Sequence, residues 1–151
     1  MRDQFTAAVK EAMKAGDKPR VSTLRLVQAA LKDKDIELRG QGKGPASDEE
    51  VLALLQKMIK QRQESITLYE GAGRQDLAAG ERAEVAVIQG FLPRQMDEAE
   101  TRAAVDKVIA DTGAASMKDM GKVVGALRAA YAGRMDFARA SALVKEALPK
   151  G

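Results

Sequence analysis

Between Lys57 and Met96 two amphipathic segments flank the break Gly71-Ala72-Gly73, a pattern that predicts an αα-hairpin. In the first segment Leu55, Met58, Ile59, Ile66 and Tyr69 recur at helical spacing, and Arg62 falls on the same stripe. In the second, Leu77, Ile88 and Phe91 define a stripe whose intermediate steps land on Glu81 and Glu84. Folding the hairpin about Arg74 sets Arg62 opposite the Glu84 turn. A half-buried charge left alone is costly, whereas an arginine fork with a carboxylate partner is tolerable. The expectation is therefore a structural ion network of Arg62, Glu81 and Glu84. Chemistry is the other reading, because perturbed carboxylates also mark active sites.

The rest of the chain favours helices as well. Ala, Leu, Lys, Arg, Glu and Gln dominate, prolines number only four, and β-branched residues nowhere alternate over a sustained run. The expected fold is all-α, with an N-terminal helical domain of about four helices over 1–93 and a small three-helix domain over 97–151. The first helix covers residues 3–15 with Phe5, Val9, Ala12 and Met13 on one face. Pro19 opens the second, carrying Leu24, Val27, Leu31 and Leu38 until Gly40. Residues 40–45, Gly-Gln-Gly-Lys-Gly-Pro, form a flexible loop that lacks the spacing and hydroxyl of a phosphate-binding loop. Ser47 and Glu50 make a capping box for the third helix, and Asp76 caps the fourth. Phe91-Leu92-Pro93 ends that helix. Asp97 with Glu100, Ser116 and Asp136 then begin the last three.

Composition removes most catalytic chemistry. With no cysteine and no histidine there is no disulfide, no thiolate nucleophile, no imidazole base and no HExxH metal site. No cofactor and no metal are expected. The start Met1-Arg2-Asp3-Gln4 has no apolar leader character, and no apolar run approaches the ~20 residues of a spanning helix, which leads to expecting a cytoplasmic protein without a membrane partner.

The net charge of +3 is small, but it divides as +2 over 1–96, −3 over 97–116 and +4 over 117–151. Within the basic C-terminal stretch Met117, Met120, Val124, Leu127 and Tyr131 form one apolar stripe, expected to be core. Lys118, Lys122 and Arg128 occupy the neighbouring arc, with Gly121 and Gly125 between them. A basic face with glycine gaps lets a sugar-phosphate backbone approach closely, and Arg134 and Arg139 extend it. The competing reading is a solvated face whose glycines permit tight packing on a neighbouring helix. Two tyrosines, three phenylalanines and no tryptophan leave no stacking platform for single-stranded bases, so any RNA would be read through shape and phosphates.

Lys60-Gln61-Arg62, Glu64-Ser65, Tyr69, Gly73-Arg74, Asp76-Leu77, Glu81, Glu84 and Phe91-Leu92-Pro93 together resemble the YqeY family. So do Asp119-Met-Gly-Lys-Val-Val-Gly125 and Gly133-Arg-Met-Asp136, and the likeness covers essentially the whole chain. It implies a two-domain helical protein similar to the C-terminal tail region of the B subunit of glutamine-dependent aminoacyl-tRNA amidotransferase, a region understood to contact tRNA. Gly121, Lys122, Gly125, Arg134 and Asp136 match the shared tail motif. Arg128 and Arg139 lie outside it and rest on charge alone.

The family description of carbon-nitrogen ligase with glutamine as amide donor is inherited by association, since the residues supply neither an ATP site nor an ammonia source. No independent activity is expected. The leading expectation is a noncatalytic module that binds tRNA or a tRNA-bearing complex through the basic face. The alternative is a protein-interaction adaptor docking on an amidotransferase or other partner without RNA contact.

Overall fold

Helix boundaries follow local chemistry. Asp17 accepts the Arg20 amide at 3.2 Å to open one helix. Ser47 and Glu50 exchange hydrogen bonds at another start, as do Asp97 and Glu100. Asp136 accepts the Ala138 and Arg139 amides. The computed structural model describes residues 1–149; residues 150 and 151, the end of the predicted second domain, lie outside them. The elements are α1 (Arg2–Lys14), α2 (Lys18–Gly40), α3 (Asp48–Gly71), α4 (Gln75–Gln89), α5 (Glu98–Thr112), a 3₁₀ turn (Met117–Asp119), α6 (Met120–Tyr131) and α7 (Phe137–Ala147). The chain is all-α, with no strand among the described residues.

Contacts group the chain into two compact units, Met1–Leu92 and Pro93–Gly151. In the first, α3 packs most extensively on α4 and α1 on α2. Phe5, Val27, Leu31, Leu55, Met58, Val85 and Ile88 belong to one core cluster, and the rings of Phe5 and Phe91 lie 4.9 Å apart. In the second, α5, α6 and α7 enclose Val105, Val108, Val123, Leu127, Met135, Leu143 and Val144.

Four sequence expectations change. Met13 is 56% exposed, because α1 buries Phe5, Ala8 and Ala12, and Met13 stands about 100° round the helix from Ala12. Leu77 is 39% exposed, and α4 buries Ala78, Val85 and Ile88 instead. Asp76 does not cap α4: the cap residue is Arg74, without a side-chain bond, and its guanidinium pairs with Asp76 in the first turn at 3.2 Å. Val124 is only half-buried, whereas Val123 is fully buried beside Leu127. Steps of three-then-four and four-then-three from Met120 are equally helical, and only contact with α5 and α7 chooses between them.

The loop from residue 41 to 47 is pinned at one end. Both terminal nitrogens of Arg2 donate to the Asp35 carboxylate at 2.7 Å, and the Ala46 amide donates to Asp35 Oδ1 at 2.9 Å. The Arg2 hydrogen bond first, and the Ala46 amide second, lower the Asp35 pKa from 3.8 to about 2. Since the folded value is the depressed one, the clip stabilises the fold fully above the ordinary carboxylate range. Its contribution falls away as pH drops from about 4 through about 2. Asp35→Asn is expected to weaken this acid-dependent loss and speed hydrogen exchange of the Ala46 amide. An unchanged acid melting profile and unchanged exchange would refute the clip.

Candidate nucleic-acid interface

The exposed side of α6 is built by three local devices. Ser116 accepts the Lys118 amide at 3.4 Å, and Asp119 accepts the amides of Ala115 at 2.9 Å and Ser116 at 3.4 Å. Those bonds, the Ala115 amide foremost, hold the Asp119 pKa below its ordinary value. Asp119 thus remains an anion committed to the turn. Val123 and Leu127 anchor the buried side, which turns Gly121, Lys122, Gly125 and Arg128 outward on one helix, with Lys118 exposed in the preceding turn.

Gly121 and Gly125 settle one ambiguity. Among the described residues, a Cβ added at either position meets no atom of a neighbouring element of its unit within 4 Å, so neither glycine serves tight packing against α5 or α7. Their bare backbone lies open between cations. The three cations are held differently. Lys122 Nζ donates to the Thr112 carbonyl at 3.1 Å, and the Arg128 guanidinium lies 5.6 Å from the centroid of the Phe137 ring. Lys118 makes no ion pair among the described residues.

Arg134 and Arg139 belong to other elements and have other engagements. Arg134 is half-buried in the turn before α7, where its Nε donates to the Arg94 carbonyl at 3.4 Å. The neighbouring Gly133 adopts φ 77°, a left-handed conformation that a side chain would strain. Arg139, on α7, donates through Nε to Glu98 Oε1 at 2.8 Å, with a second, shorter bond from Nη2. That pairing lowers the Glu98 pKa and raises that of Arg139. Glu98, Thr112 and Phe137 are residues that sequence reasoning missed. Glu98 lies between Asp97 and Glu100, which mark a helix start, but nothing along the chain pointed it at α7.

In the N-terminal unit Arg62 Nε donates to Glu84 Oε2 at 2.8 Å, and Nη1 donates to the Met58 carbonyl at 3.1 Å. Glu81 is half-buried but makes no ion pair among the described residues, so the expected trio is a pair. A second interhelical pair, Arg82 with Glu70, joins the same two helices. Among the described residues no group of three or more acidic side chains is placed to hold a metal ion. None of the helices is long and apolar enough to cross a membrane.

Comparison with known proteins places the chain in a family. The Yqey-like protein family (YqeY) matches over residues 2–148. Curated relatives carry the name "Altered inheritance of mitochondria protein 41, mitochondrial". The one from Pyrenophora tritici-repentis is 33% identical over 88 residues, covering 58% of this chain and 46% of the relative. One from Saccharomyces cerevisiae is 32% identical over 95 residues, covering 58% and 50%. One from Eremothecium gossypii is 32% identical over 84 residues, covering 56% and 44%. The matches thus span about half the length of these relatives. The expectation of a cytoplasmic protein is corrected by these names, which place the relatives in mitochondria. That expectation rested on the lack of an apolar leader in the first few residues and of a spanning-length apolar run, neither of which fixes a compartment. With nearly its whole length matched, the chain belongs to the Yqey-like protein family.

Proposed function

We propose that the chain is a noncatalytic RNA-associated module, its two compact units acting as separate domains, and that the C-terminal one binds the phosphate backbone of tRNA or of a tRNA-bearing complex. The supporting observation is the open backbone at Gly121 and Gly125 beside exposed Lys118, Lys122 and Arg128. Glycines that pack against neither α5 nor α7, on a face ringed by cations, suit close approach of a polyanion. Phe137 lies under a guanidinium and Tyr131 is half-buried, so the face has little to stack on bases.

The test is tRNA affinity across a salt series for the full chain and for Lys122→Gln/Arg128→Gln. The double variant is expected to melt like the parent, since exposed charges contribute little to stability. It should bind more weakly, with a salt slope reduced by about 0.7–0.9 per lost phosphate contact. Binding equal to the parent at low salt overturns the reading. It would favour instead a protein-interaction adaptor docking on an amidotransferase or other partner. That second reading draws on Leu68, 73% exposed, and Leu77, 39% exposed, near the α3–α4 turn.

A further inference from the structure

The oxygen Oε1 of Glu98 joins α5 to α7. It accepts two N–H groups of the Arg139 guanidinium, Nε at 2.8 Å and Nη2 closer still, and it also lies 3.8 Å from Nη2 of Arg102. One anionic oxygen is therefore shared by two arginines from different helices, α7 and α5. That is the arrangement in which a phosphate oxygen is recognised, because a guanidinium presents its donors as a planar fork matched to carboxylate and phosphate alike. The pair is accessible, Arg139 and Glu98 side chains being 44% and 54% exposed, so an incoming anion can reach it. Both features lie at the N-terminal end of α7, where Arg128 stands over the ring of Phe137, the first residue of that helix, and Arg139 is the third.

We propose that Glu98 is an internal stand-in for an RNA phosphate, holding Arg139 out of the interface until a backbone phosphate displaces it. This inference rests on the RNA-binding reading above and adds a regulatory contact to the same site. The exchange is a competition between two anions for one guanidinium and involves no covalent step. An exposed ion pair of this kind is weak enough to be displaced at modest cost. Arg139 therefore adds less to affinity in the parent chain than its charge alone would suggest. Arg102, one turn along α5 from Glu98, keeps the vacated position electropositive.

The experiment is a double-mutant cycle on the full chain with tRNA as probe, comparing parent, Glu98→Gln, Arg139→Gln and the double variant, each with a salt series and a melting curve. Glu98→Gln is expected to tighten binding roughly two- to fivefold and to steepen the salt slope by about 0.7–0.9. Arg139→Gln should cost more affinity in the Glu98→Gln background than in the parent, because there the guanidinium meets phosphate without first giving up Glu98. Asp111→Asn, which removes one negative charge from the exposed side of α5 without releasing an arginine, is the control for general repulsion. It should gain less than Glu98→Gln. Additive effects of the two changes, or a gain from Asp111→Asn equal to that from Glu98→Gln, would overturn the stand-in role and leave Glu98 as an ordinary brace between α5 and α7. A parent that binds tRNA with no response to Glu98→Gln sinks this inference alone, while a parent that binds none sinks the RNA reading with it.

Discussion

Leu127→Ala is expected to destabilise the C-terminal unit by about 3 kcal/mol and Val123→Ala by about 2, whereas Val124→Ala should cost less than about 1 kcal/mol. Leu127 and Val123 are both 0% exposed, closed over by α5 and α7, so truncation removes buried methyl groups and leaves a cavity behind. Val124 is half in solvent and its loss can be filled by water. The stakes are high in so small a unit, since folding at the ~60-residue scale buries only about 60% of the chain's surface. A 3 kcal/mol loss there would lower the melting temperature by more than about 10 °C. The chain has one tyrosine in each unit, Tyr69 and Tyr131, so a Tyr69→Phe background makes Tyr131 fluorescence report on the C-terminal unit alone. If Val124→Ala proved as costly as Val123→Ala, the core would lie along the stripe that the sequence pattern favoured and the packing of α6 described above would be wrong.

The second large effect concerns the ion pair inside the α3–α4 hairpin. Arg62→Met should destabilise the N-terminal unit by about 2 kcal/mol. The Arg62 side chain is only 15% exposed and that of Glu84 30%, so removing the cation leaves a half-desolvated carboxylate without its donor and the Met58 carbonyl without one of its bonds. The partial exposure of Glu84 places the expected cost below the 3–5 kcal/mol typical of a fully buried pair. Arg62→Met combined with Glu84→Leu should cost less than Arg62→Met alone, because the double change leaves no orphaned charge. Glu81→Leu should be within about 0.5 kcal/mol of neutral, as Glu81 stands outside the pair. Urea denaturation of the four proteins, followed by Tyr69 in a Tyr131→Phe background, measures all three. A Glu81→Leu cost matching that of Arg62→Met would return the network to the three-residue form that the sequence suggested.

The two sets of variants mark where the sequence stopped being informative. The all-α class, the capping boxes at Ser47 and Asp97, the stop at Gly40 and the presence of an Arg–Glu contact across the hairpin could all be read along the chain. So could the outward placement of Lys118, Gly121, Lys122, Gly125 and Arg128. Most of these depend on residues within a turn or two of one another or on an average over a whole helical face, and the Arg–Glu contact depends only on one hairpin folding back on itself. A cap, for instance, needs only an oxygen three residues from an amide.

The tertiary structure decided the rest. It chose Val123 over Val124, Ala78 over Leu77, Glu84 over Glu81, and Glu98 as the partner of Arg139. A helical repeat of 3.6 residues leaves neighbouring positions about 100° apart and lets two registers of one stripe look alike. Which register is buried, and which of two carboxylates reaches a cation, turns on contacts made through space by helices distant in sequence. Those contacts exist only once the helices have packed.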